Sequence, residues 1–534
     1  MTKSCNITLN YKLSQLPTAA HRAGLAGLLF LINHLSLEED AVERHIQVIE
    51  FDEHGAIIEL NENGLQALVN LAFQGKYVEK RSKNKIKDAI RTESVEENNK
   101  PVTYYYWNAL SLTGDALKKW DESDDQVWTA LWSEWILNTV RAFPKSREPF
   151  KVRAEGQSVP IDKLWAALQK PNGKVGLSSS SLIGAEAQTA EGVSLEDTNA
   201  QQFLLNFWPY VSQPYIPCRF SVDGKREDWG YAAAIPDVLN LKSFVEFLPD
   251  WLEVRSRKKL GYRPAGALIE LPEESALDSL RLMHERLKRQ DIVVQAEYEV
   301  LGFEVCHAYR ADPQRGPELR SIAYLQANQE TIGIVDQYAQ YREHLYCSWF
   351  RRHLLQNLLR GLHWTERWGE LFSMAGAEWF DDRYFVRDCQ IIFKSVSGQG
   401  DRIVETSALV KILKSLCDRY LTARLKEKDR DHKFGSNDRH KLARQEFLFV
   451  RACTNAEDFQ KYFFGTLCSQ VSPVSIPSKG EKLTEEFKTN QLVEISQEII
   501  HNTETVRGLT MLALASNFKL SESGQDKSSE TSAA

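Results

Sequence analysis

The chain has 534 residues, of which 43% are hydrophobic and 26% are charged, and it carries a formal net charge of −7 at pH 7. This length exceeds what one hydrophobic core usually supports, so we expect two or three domains. The small negative charge excludes a protein coated in positive charge, but it is compatible with a nucleic-acid binder whose cations are concentrated locally.

Cysteine usage and hydropathy indicate the cellular compartment. The eight cysteines are scattered and form no CxxC pair, which speaks against a zinc ribbon and against a disulfide scaffold. The longest apolar run near the N-terminus, residues 28–32, is too short for the core of a signal peptide or for a membrane span. We therefore expect a soluble cytoplasmic protein.

The N-terminal part mixes helix and strand patterns. Residues 15–35 predict a buried helix in which Gly24 and Gly27 let another element approach closely. His21, near the start of this helix, is interpreted as a capping or core-edge residue. Residues 45–60 alternate apolar and polar side chains around the turn DEHG, which predicts a β-hairpin.

The most cationic short run is KYVEKRSKNKIKDAIR, residues 76–91. One interpretation is that it holds a phosphate backbone. The other is that it forms an exposed, solvated segment, since charge runs are commonly surface loops. Both interpretations stay open at this point. Shortly after it, residues 103–107, TYYYW, predict a strand.

Three tryptophans recur at helical spacing in the following helix, which is predicted over residues 124–141 with Ser123 or Asp125 near its cap. They are Trp128, Trp132 and Trp135. Such a stripe is typical of a core face and not of a base-stacking platform, because stacking residues normally lie among cations.

The middle of the chain contains an insertion and a core piece. Residues 170–202 are loose and polar and predict a flexible insertion. Residues 203–261 predict a packed but irregular core piece, because they are too apolar for a linker and too interrupted by proline for a helix. This piece ends on four cations that could hold phosphates, Arg255, Arg257, Lys258 and Lys259. Strand and helix patterns continue over residues 267–309, up to a boundary at residues 312–317.

Helical periodicity dominates the rest of the chain. Within it, residues 424–444 mix cations with four acids and two histidines, which indicates a solvated hinge or a nucleic-acid contact. The predicted fold class is α+β, with an N-terminal mixed α/β domain followed by a C-terminal helical bundle. The predicted bounds are 1–320 for the mixed domain, with its flexible insertion at about 170–202, then 321–518 for the bundle and 519–534 for a disordered tail.

No recognisable catalytic constellation is present in the sequence. The acid pairs Asp124–Asp125 and Asp381–Asp382 lack the ligand pattern that a nuclease or polymerase needs, and Asp431–His432 is in the reverse order of an HD metal pair. GxSxG, HExxH, GxGxxG after a strand and a helicase-type phosphate loop are missing as well. We therefore predict that the protein is not an enzyme and has no catalytic residue, no metal site and no cofactor.

Three segments carry a family resemblance: LPTAAHRAGLAGLLFLINHL, YYYWNALSLTGDALKKW and DWGYAAAIPDVLNLKSF. They resemble the large subunit of type I CRISPR surveillance complexes, called Cascade, in the Myxan-subtype branch of cyanobacterial and myxobacterial systems. The resemblance implies an N-terminal mixed domain and a C-terminal helical bundle. It also implies a non-catalytic subunit that contacts the 5′ handle of the guide RNA and the protospacer-adjacent duplex. Such a subunit supports R-loop formation in antiviral defence or in RNA-guided transposition.

The implied partners are the CRISPR guide RNA, target double-stranded DNA, the backbone and handle-binding subunits of Cascade, and a helicase-nuclease or a transposition adaptor, with no membrane. Since base pairing reads the sequence, the protein needs only a short duplex reader, a wedge and cationic channels for the displaced strand. Charge alone selects three groups of candidate nucleic-acid contacts. The first group, expected on the duplex or the handle, is Lys80, Arg81, Lys83, Lys85 and Lys87. The second is Arg255, Arg257, Lys258 and Lys259. The third, expected along the target or displaced strand, is Arg351, Arg352, Arg439, Lys441 and Arg444.

Two functions from other classes stay open. One is a metal-dependent nuclease with an unrecognised active site, which an assay with labelled DNA and divalent metals would detect. The other is a helical scaffold that binds only proteins, which co-purification with a backbone subunit and a short guide RNA would exclude. A separate small subunit made from the C-terminal bundle is also conceivable, although the methionines after Met1 are only Met283, Met374 and Met511.

Overall fold

We describe the protein from a computed structural model. The structure describes residues 6–38, 45–97, 100–123, 125–138, 147–177, 196–221, 226–289, 299–310, 318–362, 367–374, 379–380, 382–396, 408–428, 436–468 and 489–519. The chain divides into two compact units, Met1–Val335 and Asp336–Ala534. The described elements of the first unit are helices and strands and those of the second are helices, which confirms the predicted fold class.

The described elements follow in chain order. In the first unit they are β1 (Ile7–Lys12), α1 (Ala19–Glu38), β2 (Ile46–Phe51), β3 (Gly55–Leu60), α2 (Glu62–Ala72), β4 (Gly75–Ser82), β5 (Arg91–Glu97), β6 (Lys100–Leu112), α3 (Asp115–Lys118), α4 (Val127–Asn138), α5 (Glu148–Ala154), α6 (Asp162–Leu168), β7 (Lys174–Gly176), β8 (Glu196–Thr198), α7 (Asn199–Leu204), β9 (Gln213–Phe220), β10 (Arg226–Asp228), β11 (Tyr231–Val238), α8 (Leu241–Glu253), β12 (Lys259–Leu260), β13 (Arg263–Pro264), β14 (Leu268–Ile269), α9 (Glu274–Arg289), β15 (Val300–Tyr309) and β16 (Glu318–Gln326). Then come α10 (Gln329–His344), which crosses the division, and the helices of the second unit, α11 (Ser348–Leu359), α12 (Trp368–Ser373), α13 (Arg383–Val396), α14 (Ala408–Lys428), α15 (Ser436–Ala452), α16 (Ala456–Tyr462), α17 (Thr489–His501) and α18 (Thr503–Ala515). Among the described helices, none is both long and apolar enough to cross a membrane.

The first unit is organised around a sheet with the strand order β10-β9-β11-β15-β16, to which β14 adds in parallel beside β9. Strand β11 pairs on both sides and contacts α1, and its residues after Tyr231 are buried. Helix α1 also packs directly on backbone. A Cβ atom at Gly24 would lie 2.3 Å from the carbonyl oxygen of Leu204, and one at Gly27 would lie 2.2 Å from that of Phe207. The close approach predicted at these glycines is confirmed.

His21 anchors the start of α1. Its ring is fully buried, with Nδ1 at 2.8 Å from the Thr18 hydroxyl and Nε2 at 2.8 Å from a carboxylate oxygen of Asp197 in β8. The backbone carbonyl of Thr18 accepts the first amide hydrogen bonds of the helix. This arrangement confirms the interpretation of His21 as a capping or core-edge residue and ties α1 to β8.

The central stretch, residues 203–261, is buried as predicted but is more regular than predicted. It contains β9, β11 and α8, each of which includes proline. Strands tolerate proline where the ladder does not need its N–H group, and antiparallel pairing alternates between bonded and non-bonded positions. Pro236 of β11, for example, lies opposite Phe303 of β15, outside the three positions at which β11 pairs with β9.

The predicted insertion and boundary are only partly described. At the ends of the insertion, β7 and β8 pair as a short antiparallel ladder. Residues 178–195 of the insertion, residues 311–317 at the predicted boundary and the predicted tail from residue 520 lie outside the described residues. Strand β16 follows that boundary and pairs with β15, so the first unit extends past the predicted limit at residue 320.

The tryptophan stripe of α4 belongs to the core, as predicted. Trp128, Trp132 and Trp135 are buried, and the indole N–H groups of the first two donate to the carbonyl oxygens of Ser256 and Pro209, each at 2.9 Å. The Ser123 hydroxyl accepts the N–H of Val127 at 2.9 Å, and a carboxylate oxygen of Asp121 accepts that of Thr129 at 2.8 Å, so the predicted Ser123 caps this helix together with Asp121.

The second unit is built around its last described helix. Residues Val506 to Ala515 of α18 are all buried, and the helices α12 to α17 each contact α18. Helix α14 has an apolar face, since Leu413, Leu416 and Tyr420 are buried. The predicted bundle therefore has a central helix that is apolar on most sides.

The described cysteines are free thiols, and all of them except Cys468 are buried. Burial raises the pKa of Cys218 and of Cys347 to about 12 and that of Cys468 to about 11. The thiolate is the reactive form of cysteine, so these thiols are chemically inert near neutral pH.

One buried carboxyl group makes the stability of the second unit depend on pH. Asp388 of α13 accepts the backbone N–H groups of Tyr346 at 2.7 Å and Cys347 at 2.5 Å, just before α11. Burial raises the pKa of Asp388 to about 6, and the two N–H donors offset this only in part. The ordinary pKa of aspartate is near 4. Between about pH 4 and pH 6 the folded state therefore holds more protons than the unfolded state, and stability falls as the pH rises.

We expect Asp388→Asn to remove this pH dependence. From this group alone, roughly 2 kcal/mol of stability that is present at pH 4 is lost above pH 6. Urea unfolding followed by tryptophan fluorescence at pH 4.5, 5.5 and 6.5 measures the stability difference between the wild type and the variant. That difference is expected to change with pH by about 2 kcal/mol over this range. A constant difference would contradict the assignment.

Candidate nucleic-acid interface

The first candidate group lies on and after β4, in a three-stranded antiparallel sheet of order β4-β6-β5. The predicted strand at residues 103–107 is confirmed as part of β6. Lys80 lies directly opposite Trp107, and its neighbour Arg81 lies opposite Tyr106. The remaining three cations follow in the connection to β5, and all five side chains are exposed: Lys80, Arg81, Lys83, Lys85 and Lys87. Half of the run that was predicted either as a loop or as a phosphate contact is therefore strand.

One face of this sheet carries paired charges. Successive residues of a strand point to opposite faces, so the residues opposite one another in register share a face. The face of Arg81, which we call the salt-bridge face, carries Glu79, Arg81, Arg91, Glu93, Glu97, Tyr104 and Tyr106.

The cations of the salt-bridge face are neutralised by its acids. Arg91 lies 2.7 Å from Glu79 and 3.1 Å from Glu93, and its guanidinium is 3.5 Å from the ring centroid of Tyr106. Arg81 covers the ring of Tyr104 at 4.9 Å. A hydrogen bond from Arg91 lowers the pKa of Glu79, and hydrogen bonds from Tyr106 and Arg91, with Arg81 nearby, lower the pKa of Glu93. These acids stay ionised and hold the arginines in place.

Lys83 joins the same network from the connection between β4 and β5. Its ammonium lies 2.7 Å from a carboxylate oxygen of Glu97 and 5.6 Å from the ring centroid of Tyr104. The hydrogen bond from Lys83, followed by one from Tyr104, lowers the pKa of Glu97, so the carboxylate is ionised. Lys83 is therefore paired, although it is exposed.

Three lysines of the first group differ from these paired cations. Lys80, Lys85 and Lys87 are exposed, and none of them makes an ion pair with any residue that the structure describes. We call them the unpaired lysines. Because they have no acid to give up, they can bind a phosphate without losing an existing contact.

The second group is mostly engaged within the protein. Arg255 is buried, donates to Gln213 and to the carbonyl of Leu252, and lies 5.0 Å from the ring of Trp128. Burial lowers the pKa of Arg255 to about 10. Arg257 and Lys259 form ion pairs with Glu122 and Asp125, respectively. Lys258 is exposed and makes no ion pair within the described part of the chain. The predicted phosphate contact by Arg255 therefore lacks the exposure that it needs.

The third group lies on α11 and α15 of the second unit. Arg439 donates to Asp418 at 2.7 Å and to Asn517 at 2.8 Å, which ties α15 to α14 and to the end of α18. Arg351 lies over Tyr341 at 5.9 Å and Arg444 over Phe380 at 5.0 Å, and both are half-buried, as is Arg352. Lys441 is exposed and, among the described residues, has no ion-pair partner.

Sequence reasoning missed the face of the sheet that lies opposite the salt-bridge face. It carries Lys76, Lys80, Tyr105 and Trp107. The signal that would have found it is the period of two within TYYYW, which sends Tyr105 and Trp107 to one side and Tyr104 and Tyr106 to the other.

Only two of the candidate metal residues, Asp125 and Asp382, lie within the described residues. Asp124, Asp381 and the Asp431–His432 pair lie outside the described residues. Asp125 pairs with Lys259, and Asp382 accepts the N–H of Phe385 at 2.7 Å at the start of α13. Within the described ranges, no group of three or more His, Cys, Asp or Glu side chains is placed to hold a metal ion.

Two family models match the chain in sequence. The model of the type I-B CRISPR Cas8b N-terminal domain matches residues 46–292, and that of the Cas8b C-terminal domain matches residues 300–517. The order of the two models agrees with a mixed unit followed by a helical unit. Together they define the class of the protein, which is the large subunit of a type I CRISPR Cascade complex.

More particularly, the chain belongs to the Cas8b family. No curated protein matches it. The resemblance to a type I Cascade large subunit is confirmed, whereas the Myxan-subtype branch stays a prediction, since the models that match are those of type I-B.

Proposed function

We propose that this Cas8b chain binds nucleic acid through the unpaired lysines and makes or breaks no covalent bond itself. Cas8 large subunits are generally non-catalytic components of Cascade. The proposed ligands are the 5′ handle of the guide RNA and the duplex beside the protospacer, and the proposed role is support of R-loop formation. Base pairing with the guide reads the target, so the protein has to hold backbones and read only a short duplex.

The observation that carries this proposal is the contrast between two kinds of cation in one sheet. Arg81, Lys83 and Arg91 already contact acids or tyrosine rings, whereas Lys80, Lys85 and Lys87 contact no described acid. Phosphate binding gains free energy from counterion release, and a cation that is already paired first has to lose its partner. The unpaired lysines therefore have the larger capacity for phosphate.

Exposure and the absence of an acid partner also select the proposed contacts within the second and third groups. Lys258 and Lys441 remain proposed contacts because both are exposed and unpaired within the described residues. Arg257 and Lys259 would have to leave Glu122 and Asp125, and Arg439 would have to leave Asp418 and Asn517. We leave Arg255 out of the proposed interface because it is buried.

The cellular setting that we propose follows from the family. The chain assembles with a guide RNA and with backbone and handle-binding subunits in the cytoplasm, and the complex recruits either a helicase-nuclease or a transposition adaptor. Assignment to the Myxan subtype and production of a separate C-terminal small subunit belong to the same proposal.

The test is a salt series with the triple variant Lys80→Ala, Lys85→Ala and Lys87→Ala. We expect weaker binding to a target duplex and a shallower dependence of log K on log salt, by about 0.9 for each lysine that contacts a phosphate. Fluorescence anisotropy with a labelled duplex, from 50 to 200 mM salt, measures both quantities.

The matched control removes the same charge from lysines that already have acid partners. Lys151, Lys174 and Lys461 are exposed and pair with Glu148, Glu196 and Glu457, respectively. Their triple alanine variant should keep the wild-type salt slope. Equal slopes for all three proteins would overturn the assignment of the unpaired lysines.

A further inference from the structure

The β4-β6-β5 sheet has a second face with a different chemistry. It consists of every second residue of the three strands, namely those whose side chains point away from the salt-bridge face. We call it the aromatic face. It carries Lys76, Val78, Lys80 and Ser82 from β4, Thr103, Tyr105, Trp107, Ala109 and Ser111 from β6, and Thr92, Ser94 and Glu96 from β5, with Pro101 at its edge.

The two aromatic side chains of this face, Tyr105 and Trp107, are less buried and make fewer contacts than the two tyrosines of the salt-bridge face. Tyr104 and Tyr106 are buried under cations, and their hydroxyls donate to Glu97 and Glu93. Tyr105 and Trp107 are half-buried. Their rings and polar atoms make no ring contact or hydrogen bond to any residue in the described ranges, so they remain available to a ligand.

Cations lie on the same face as these two rings. Lys80 lies directly opposite Trp107, and Lys76 lies four residues before it on β4, opposite Ser111. Both lysines are exposed and unpaired within the described part of the chain. The acid among the paired positions of this face, Glu96, lies opposite Pro101, at the far end of the β5–β6 ladder. Aromatic rings among unpaired cations are the combination that binds single strands, because the bases stack while the phosphates meet the charges.

The other side chains of the face decide which single strand fits. Ser82 and Thr92 flank Tyr105, and Ser94 lies opposite Thr103. No Arg, Asn, Gln or Asp occupies a paired position of this face, so it lacks the guanidinium and amide groups that pair with base edges, and stacking on Tyr105 and Trp107 does not depend on base sequence. Such a surface tolerates any base sequence. A displaced DNA strand changes its sequence with every target, so it requires this tolerance.

We propose that the aromatic face binds single-stranded DNA, with Tyr105 and Trp107 each stacking on a base and Lys76 and Lys80 holding phosphates. This inference rests on the proposed function and extends it from duplex contact to the opened strand. The two rings are two residues apart on one strand, about 7 Å. This distance is about twice the 3.4 Å rise of a stacked strand, so the rings receive bases from an extended strand.

The test uses the full chain and mixed-sequence oligonucleotides of 20 nucleotides as single-stranded DNA, single-stranded RNA and duplex DNA. In the double variant Tyr105→Thr and Trp107→Thr, threonine keeps the β propensity of the strand. We expect single-stranded DNA to bind at least tenfold more weakly, since each stacked base is worth roughly a factor of 5 to 100. Duplex binding should stay within twofold of the wild type.

The matched control is Tyr77→Thr. Tyr77 is an exposed tyrosine of the neighbouring strand β4, but it lies opposite Leu110 on the salt-bridge side of the sheet. This variant should bind single-stranded DNA like the wild type. An equal loss in the control and in the double variant would overturn the assignment to the aromatic face.

Three outcomes separate this inference from the proposed function. If the double variant binds single-stranded DNA normally while the unpaired-lysine variant loses duplex affinity, the stacking platform is wrong and the proposed function stands. If both variants bind normally, both assignments fail. If the loss is confined to RNA, the commitment to DNA is wrong.

A second measurement needs only the wild-type protein, so it holds even if the double variant does not fold. Single-stranded DNA that contains 5-iodouracil is cross-linked by light to aromatic side chains in contact with it. We expect mass spectrometry to place the cross-link on Tyr105 or Trp107. Cross-links confined to Tyr77 or to other parts of the chain would overturn the inference.

Discussion

Replacing Gly27 by alanine is expected to destabilise the first unit by about 3 kcal/mol or more. The new Cβ would lie 2.2 Å from the carbonyl oxygen and 2.8 Å from the carbonyl carbon of Phe207. Both atoms belong to the backbone, so no side-chain rotation relieves the clash, and either α1 or the buried chain at Phe207 has to move. The free energy of unfolding of a protein is commonly only about 5–15 kcal/mol, so the expected loss is a large fraction of the total stability. Urea unfolding followed by tryptophan fluorescence measures the loss.

Gly333→Ala is the matched control for this prediction. Gly333 lies within α10, and no atom outside its local helix backbone lies within 4 Å of the Cβ that alanine would add. Alanine is favoured over glycine by up to about 1 kcal/mol in a helix interior, so this variant should be as stable as the wild type or more stable. If Gly27→Ala unfolded at the same urea concentration as Gly333→Ala, the close packing of α1 would be wrong.

The second large effect is expected from Asp197→Ala, at about 3 kcal/mol of lost stability. The side chains of His21 and Asp197 are 0% and 2% exposed, and the bond between them is 2.8 Å long. Without the carboxylate, Nε2 of His21 would have no partner in a site that water does not reach, while its other ring nitrogen still faces Thr18. A buried polar group without a partner costs more than a hydrogen bond gains.

Asp197→Asn distinguishes loss of the hydrogen bond from loss of packing. Asparagine has nearly the same shape and keeps an oxygen that accepts a hydrogen bond from His21, so its cost should be clearly smaller than that of alanine. The same urea unfolding experiment compares the two variants with the wild type. Equal stability of Asp197→Ala and the wild type would show that the buried pair contributes nothing.

Much of the fold was predictable because the spacing of apolar residues along the sequence matches the side of each helix or strand that is buried. Residues 45–60 form the expected hairpin β2–β3, and the helix predicted over residues 15–35 is α1. The misses have a specific cause. β9 and β11 contain prolines, which argue against strands in local reasoning, and only the partners β14 and β15 reveal that the ladders tolerate them. Such partners come from residues far along the chain, which local patterns do not contain.

The sequence predicted which cations belong to the candidate interface, but it did not predict which of them are paired with acids or tyrosine rings. Lys80 and Arg81 are adjacent in the sequence and equal in charge, yet they lie on opposite faces of β4. Whether each is neutralised depends on Glu93 and Glu97 of β5 and on the tyrosines of β6, and therefore on strand register. Arg255 shows the same limit, because the charge run at residues 255–259 gives no sign that its first member is buried against Trp128.

The inert thiols have a practical consequence for following this protein in solution. A maleimide dye reacts with thiolates, and burial keeps Cys218, Cys347 and Cys468 protonated at neutral pH. A Lys258→Cys substitution would place an exposed thiol on the surface, and it would be modified much faster than these three native cysteines. Energy transfer from that dye to a labelled oligonucleotide would then report docking and release in real time.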